Sequence, residues 1–142
     1  MSLSVALTTD LSACWALRHE VFVEEQGVPL ELERDEYDAT ALHFLATWDG
    51  RPVGTERVLL KGDTGKIGRV CVLRAMRGRG IGAALIRAAV EELRGRGLRR
   101  AVLGSQVHAI PFYEGLGFAA EGPVYDDAGI PHRDMALAIE GA

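Results

Sequence analysis

The stretch Arg77-Gly78-Arg79-Gly80-Ile81-Gly82-Ala83 follows a strand-like run and opens directly into an amphipathic helix. Glycines at alternate positions let backbone N–H groups turn toward one point without interference from Cβ atoms. These N–H groups belong to a helix N-terminus, where unpaired donors and the helix dipole favour an anion. Arg77 and Arg79 add positive charge with several hydrogen-bond donors each. The stretch therefore predicts a cradle for a phosphate or pyrophosphate.

Two nucleotide-binding motifs and a plain turn compete as interpretations of this cradle. Residues 78–83 fit the dinucleotide fingerprint G-x-G-x-x-G/A, which needs an acidic residue about 20 positions later, at the end of the next strand. The next predicted strand, residues 100–105, ends without one. A P-loop fits worse, because residues 62–66 have the wrong glycine spacing and Ile67 replaces the Ser/Thr that binds magnesium. A glycine-rich turn carrying a solvated arginine pair is the structural alternative.

The pattern Arg77-x-x-Gly80-x-Gly82 after a strand resembles the acetyl-CoA signature of the GNAT acyltransferases, R/Q-x-x-G-x-G/A. Residues 110–118 resemble the second motif of that family, a helix that carries a tyrosine and ends at Gly-Phe. The resemblance covers about residues 18–135, nearly the whole chain. Three further stretches resemble the small bacterial ElaA-like branch of the family: residues 21–26, 68–70 and 129–132.

The resemblance implies an α/β fold, with one GNAT-like N-acetyltransferase domain over residues 1–142. Its mixed central sheet is expected to run from an antiparallel meander into a parallel β-α-β crossover. The two parallel strands, residues 66–73 and 100–105, are expected to splay and admit the pantetheine arm of acetyl-CoA. Acetyl-CoA is the implied acyl-donor substrate, and no metal is expected. The implied binding residues are Val70, Cys71, Val72, Arg77, Gly78, Arg79, Gly80, Ile81, Gly82, Ala83, Gln106, Ala109 and Phe112.

Hydrophobic periodicity and turn residues predict the order of the elements. The helix after the cradle has the clearest apolar stripe and ends at Gly95 and Gly97. Three antiparallel strands precede the cradle, which differs from a doubly wound nucleotide fold, where strand and helix alternate from the start. The predicted strands are residues 3–7, 41–48, 52–61, 66–73, 100–105, 118–122 and 133–139, and the other helices are residues 11–25 and 110–116.

Composition limits the classes of function. The chain has 142 residues and a formal net charge of −4, which favours one globular domain and argues against a nucleic-acid-binding surface. Cys14 and Cys71 lie among apolar residues without metal spacing, so they are expected to be buried thiols in a reducing compartment. No leader or membrane-length apolar run is visible, which predicts a cytoplasmic protein. A Ser-His-Asp hydrolase is unsupported because no G-x-S-x-G elbow occurs.

Acyl transfer from a thioester to an amine requires three groups. The carbonyl oxygen needs a backbone N–H, which the strand can supply near Val72. The leaving thiolate needs an acid, and the family motif implies Tyr113. The amine must lose a proton to a base. Many relatives carry a glutamate on the central strand, but Gly68-Arg69 occupies that place here. The remaining candidates for the base stay open: Glu25, His43, His108 and His132.

An acidic segment, residues 27–40, is predicted to be a loop. It carries Glu31, Glu33, Asp35, Glu36 and Asp38. Such a run is either solvated surface or an acidic rim that attracts a cationic amine acceptor. The alternative to an enzyme is a domain that binds CoA without turnover, as a sensor or a protein-interaction module. No nucleic acid or membrane partner is expected, and a homodimer is compatible with the sequence.

Overall fold

A computed structural model describes residues 2–139 of the chain. A seven-stranded mixed sheet has the order β1-β2-β3-β4-β5-β7-β6. No helix within residues 2–139 is both long and apolar enough to cross a membrane. The strands are β1 Leu3–Thr8, β2 Leu42–Trp48, β3 Arg51–Lys61, β4 Thr64–Val72, β5 Arg100–Gln106, β6 Ala119–Asp127 and β7 Ile130–Ala138. The helices are α1 Leu11–Arg18, α2 Leu30–Glu33, α3 Ile81–Gly95 and α4 Ile110–Glu114.

The first half of the sheet is antiparallel. Asp49 and Gly50 form the hairpin turn between β2 and β3, and both have positive φ, as a tight turn between twisted strands requires. β1 also pairs antiparallel with β2, so four antiparallel strands rather than three precede the cradle. β1 lies beside β2, the next strand in the chain, as sequential strands usually do, and it forms one edge of the sheet.

The parallel crossover is confirmed, and so is the splay. β4 and β5 pair in parallel only from Thr64 opposite Arg100 to Ile67 opposite Leu103. Beyond these residues the two strands separate. α3 connects them and buries one stripe against the sheet, made of Ile81, Leu85, Ile86, Ala89, Val90 and Leu93. That stripe follows the helical period that the sequence shows.

β4 is irregular where the splay begins. The register with β3 shifts, because Arg57 opposes Gly68 while Thr55 opposes Cys71. Three steps along β4 therefore match two along β3, which is a β-bulge. Arg69 lies within it at φ +51°, a left-handed conformation that is uncommon for a residue with a Cβ. The bulge bends β4 just beyond Ile67, where its pairing with β5 ends.

The first helix departs from the prediction of one helix over residues 11–25. It is α-helical to Arg18 and continues as a π-helix over His19–Glu25. The segment predicted as a loop, residues 27–40, also contains α2 and a 3₁₀ turn, Glu36–Ala39. Helical turns form here because Asp35 caps the 3₁₀ turn, with its side chain accepting from the Tyr37 N–H.

Three acidic residues of this segment point inward. Arg18 is fully buried and donates to both carboxylate oxygens of Glu33, at 2.6 and 2.8 Å, and to Asp38 at 2.8 Å. Arg57 donates to both oxygens of Asp35, at 2.6 and 2.8 Å, and to Asp38 at 2.9 Å. At these three positions the expected rim or solvated face is replaced by internal ion pairs.

The C-terminal hairpin is longer than predicted. The predicted strands of residues 118–122 and 133–139 extend to Ala119–Asp127 and Ile130–Ala138, so the turn contracts to two residues. β7 inserts between β5 and β6, pairing antiparallel with both. The far end of this hairpin reaches the opening between β4 and β5.

Candidate active site

A cleft of about 750 Å³ lies where β4 and β5 separate. Its walls come from both strands, the N-terminus of α3, α4, the π-helix and the C-terminal hairpin. The residues implied as acetyl-CoA-binding all line it except Arg79, whose guanidinium lies over the Trp48 ring at 5.5 Å. Of the candidate catalytic residues, Tyr113, His108 and His132 line the cleft, whereas Glu25 and His43 do not.

The cradle is the N-terminus of α3. Gly78 and Gly80 both adopt φ +80°, and Gly80 is the N-cap residue of the helix. A residue with a Cβ would be strained in that conformation. No side chain caps the helix, so the first N–H groups, including those of Ile81 and Gly82, have no capping partner within the described residues. The arrangement presents unpaired N–H donors and the positive end of the helix dipole to the cleft.

Arg77 connects the cradle to the first helix. Its Nε donates to the Val72 carbonyl at 3.0 Å. Its two terminal nitrogens donate to both oxygens of Glu25, at 2.6 and 2.8 Å. This bidentate pair lowers the pKa of Glu25, because the guanidinium stabilises the carboxylate. Glu25 is therefore an ionised partner of Arg77 in this structure.

Tyr113 lies on α4 with its ring packed edge-to-face against Phe112 and Phe118, at centroid distances of 5.0 and 6.2 Å. Burial, and secondarily the nearby Glu56 carboxyl, raises the pKa of Tyr113 to about 12. The phenol is therefore protonated at neutral pH and can donate. The predicted turn after α4 is present, since the N–H of Phe118 bonds back to the Tyr113 carbonyl at 3.1 Å across Gly117.

The backbone of β4 supplies a donor to the same cleft. The N–H of Leu73 bonds to the Val53 carbonyl of β3 at 2.9 Å. Successive N–H groups of a strand point in opposite directions, so the N–H of Val72 faces away from β3. On that side β5 has already diverged, and its pairing with β4 ends at Ile67. The splay thus leaves the Val72 N–H directed into the opening.

The histidines differ in their surroundings. His43 is buried on β2, where its Nε2–H donates to the Asp38 carbonyl at 2.9 Å, away from the cleft. His108 Nε2–H donates to the Gln106 amide oxygen at 2.7 Å. His132 donates from Nδ1–H to the Ile130 carbonyl at 2.7 Å, which leaves Nε2 as the unprotonated nitrogen.

Tyr125 is a cleft residue that sequence reasoning missed. Its hydroxyl donates to Asp134 Oδ1 at 2.7 Å, and its ring stacks on His132 at 6.0 Å between centroids. The hydroxyl lies 2.5 Å from where a Cβ on Gly104 would be, so a larger residue there would displace the Tyr125 side chain. A glycine inside a predicted strand often marks such a close approach, and Gly104 was that signal.

Glu56 is a second residue that sequence reasoning missed, and no sequence signal marks it. It is 1 % exposed on β3, and neither carboxylate oxygen has a hydrogen-bond partner within the described residues. Burial raises its pKa well above the ordinary value, because a charge there would lack solvation. The pKa of Cys71, which lines the cleft, is likewise raised by burial, to about 12, so it is a thiol rather than a thiolate.

No group of three or more His, Cys, Asp or Glu side chains in residues 2–139 is arranged to hold a metal ion. The donors that face the cleft are backbone N–H groups, guanidinium groups and a phenol. These groups bind and stabilise negatively charged oxygen and sulfur atoms.

Comparison with known proteins adds independent information. Residues 8–139 match a family described as "Acetyltransferase (GNAT) domain". The N-acetyltransferase YjcF of Bacillus subtilis is 37 % identical over 127 residues, covering 89 % of this chain and 91 % of that protein.

Two solved structures share both the fold and much of the sequence. An acyl-CoA N-acyltransferase from Pseudomonas aeruginosa superposes with a TM-score of 0.87 at 33 % identity, covering 96 % of this chain and 100 % of the other. ElaA of Escherichia coli superposes with a TM-score of 0.83 at 30 % identity, covering 96 % and 98 %. The resemblance to the ElaA-like branch is thereby confirmed.

Proposed function

Because this chain belongs to the GNAT acetyltransferase family, we propose that it moves an acetyl group from acetyl-CoA to a primary amine of a small molecule or peptide. The amine attacks the thioester directly, within a complex that holds both substrates. One observation carries the proposal. The splay of β4 and β5 brings the α3 cradle, the Val72 N–H and Tyr113 to one cleft.

The cradle is suited to the pyrophosphate of acetyl-CoA. Its backbone donors at Gly80 and beyond need no side chain, and the helix dipole favours the negative charge. Arg77 lies at the same place and can exchange its carboxylate partner, Glu25, for a phosphate, because a guanidinium binds both with similar geometry. The opening between the strands then receives the pantetheine arm.

The chemical step involves two proton transfers, and each is carried out by a different residue. The amine nitrogen attacks the carbonyl carbon, and the developing oxyanion is stabilised by the Val72 N–H. The C–S bond breaks, and the departing sulfur takes the proton of the Tyr113 hydroxyl. The amine loses its proton to Nε2 of His132, whose tautomer is set by the Ile130 carbonyl. Of the four candidates for the base, His108 and His132 line the cleft, and the proposal assigns the base to His132, whose ring is oriented by the Ile130 carbonyl.

The test replaces Tyr113 with phenylalanine, which removes the hydroxyl and keeps the ring contacts. CoA release with a panel of amines should fall by about 10²–10⁴-fold, the usual contribution of a positioned acid, while acetyl-CoA affinity stays the same. Tyr37→Phe, which removes an exposed hydroxyl outside the cleft, serves as the control. Unchanged turnover in Tyr113→Phe would assign the proton to water or to another group.

His132→Asn tests the base with a different readout. The loss of turnover should be greatest near neutral pH, where histidine changes protonation, and smaller at high pH, where the free amine is already neutral. A pH profile parallel to that of the native protein would exclude His132 as the base. Acetyl-CoA binding without CoA release from any amine in the panel would instead support the sensor alternative.

A further inference from the structure

The part of the cleft that is formed by β3, β4 and the π-helix carries basic residues. Arg57, Lys66 and Arg69 line it, with the apolar side chains of Val21, Phe22, Val28 and Leu59. The acetyl group is expected at the opening between β4 and β5, with the cradle on one side. The face that contains Arg69 is therefore where the acceptor must approach.

Of the two arginines on this face, Arg69 is the less neutralised. Its Nε donates to the Glu33 carbonyl at 3.0 Å, and one terminal nitrogen, Nη2, donates to the Leu32 carbonyl at 3.2 Å. Its ion pair is a 3.3 Å contact with Asp35, whose two oxygens already accept shorter bonds from Arg57. Backbone carbonyls satisfy donors, but they do not cancel a full positive charge.

The neighbouring acids are committed elsewhere. Glu33 is held by Arg18 through both oxygens, and Asp38 is shared between Arg18 and Arg57. Burial, and then the charges of Arg57 and Arg18, lower the pKa of Arg69, although Asp35 and Glu33 act in the opposite direction.

Arg69 also has donors to spare. Its other terminal nitrogen, Nη1, makes no hydrogen bond to any of residues 2–139, and 28 % of its side chain is exposed to the cleft and solvent. The bulge holds this residue at φ +51°, and strained backbone of this kind clusters at functional sites. Lys66 lies exposed on the same strand and adds a second positive charge.

We propose that the acceptor carries an anionic oxygen group, carboxylate or phosphate, beside its amine, and that Arg69 binds this group. The inference rests on the proposed function and names the class of its acceptor. Arg69 and Val72 are three positions apart, which places their backbones at most roughly 10 Å from each other, because the bulge shortens the strand. With the reach of an arginine side chain, this spacing suits an amine only a few bonds from its anion, as in short amino acids or aminoalkyl phosphates.

Matched acceptors provide the experiment. CoA release is measured with β-alanine against propylamine, γ-aminobutyrate against butylamine, and phosphoethanolamine against ethanolamine. The anionic member of at least one pair should show a kcat/KM about 10- to 100-fold higher, the scale of a charge-assisted hydrogen-bond pair. The carboxylate and phosphate pairs distinguish the two sources of the anion. Ratios near one in all three pairs overturn the inference, while turnover of the neutral amines would leave the proposed function intact.

The variant Arg69→Gln should reduce that ratio to near one. Arg51→Gln removes an exposed arginine outside the cleft and is the matched control. A ratio preserved in Arg69→Gln overturns the assignment to Arg69. If this variant does not fold, Arg69→Lys, which keeps the charge but not the planar fork, should lower the ratio only in part, and an unchanged ratio again overturns it.

A binding measurement covers the case in which no amine is turned over. Saturation-transfer NMR on the CoA-loaded protein detects weak acceptors directly. β-Alanine or phosphoethanolamine should give a signal in the native protein and in Arg51→Gln, and lose it in Arg69→Gln. Absence of the signal in the native protein, or its persistence in Arg69→Gln, counts against the anionic acceptor independently of catalysis.

Discussion

The buried carboxyl of Glu56 should make the stability of this protein fall as pH rises. It is 1 % exposed, without a hydrogen-bond partner in residues 2–139, and burial raises its folded-state pKa well above 4.5. Between the two pKa values the folded protein holds a proton that the unfolded chain has lost. Stability therefore decreases with pH through that window, by up to about 1.4 kcal/mol per pH unit for one proton.

The substitution Glu56→Gln removes the titration and nearly keeps the shape. Its buried amide has its own cost, but that cost does not change with pH, so the comparison uses slopes rather than absolute values. Urea unfolding at several pH values from 5 to 8 gives the free energy of unfolding of both proteins. Their difference should grow in favour of Glu56→Gln by up to about 1.4 kcal/mol for each pH unit inside the window.

Glu36→Gln, the loss of one exposed carboxyl, is the matched control for a change in net charge. Parallel curves for the native protein and Glu56→Gln would refute the reasoning. They would mean that the folded protein gives Glu56 a partner or water, so that its pKa is not displaced. A native protein with a steeper loss of stability would instead establish that the folded protein holds Glu56 as a neutral carboxylic acid.

Two further outcomes follow from the cradle and from the buried ion pairs. Gly80→Val should weaken acetyl-CoA binding in calorimetry by tenfold or more, because valine is strained at φ +80° and distorts the first turn of α3. Gly95→Val, at the far end of α3, is the control. Equal acetyl-CoA affinities of the Gly80→Val and native proteins would contradict the assignment of the cradle. Arg18→Met should lower the free energy of unfolding, measured in urea, by about 3–5 kcal/mol, because Glu33 and Asp38 lose a buried partner. A decrease of less than about 1 kcal/mol would show that these carboxylates find other partners.

Much of the fold could be predicted from local pattern. The α3 stripe, the Asp49-Gly50 turn and the run of residues 66–73 each show their period or turn residue within a few positions. The boundaries of the C-terminal hairpin were less accurate, because β6 is mostly exposed and lacks the alternation that marks a half-buried strand. The π-helical turn at His19–Glu25 has no sequence signature comparable to a cap or a glycine.

The candidate site was predictable where backbone geometry defines it. The cradle depends on glycines and a helix start, so residues 77–83 sufficed to locate it. The position of Tyr113 in the cleft agreed with the second family motif. The contacts of charged residues were harder to predict, because a run such as residues 31–38 shows the sign and density of its charges but not which side chains pair with them. Its interpretation as rim or solvated surface missed the arginines that hold Glu33, Asp35 and Asp38.

The sequence by itself determined the family, the crossover and the place of the cradle. Each of these depends on the periodicity and the glycine positions of contiguous residues, which set the local backbone structure. Only the tertiary structure decided which charges are paired, that the Glu56 carboxyl has no hydrogen-bond partner in residues 2–139, and that Tyr125 lies over Gly104. These facts join residues far apart in the chain, such as Arg57 with Asp35. Pairing and desolvation depend on distance in space, and the β4 bulge and splay set those distances.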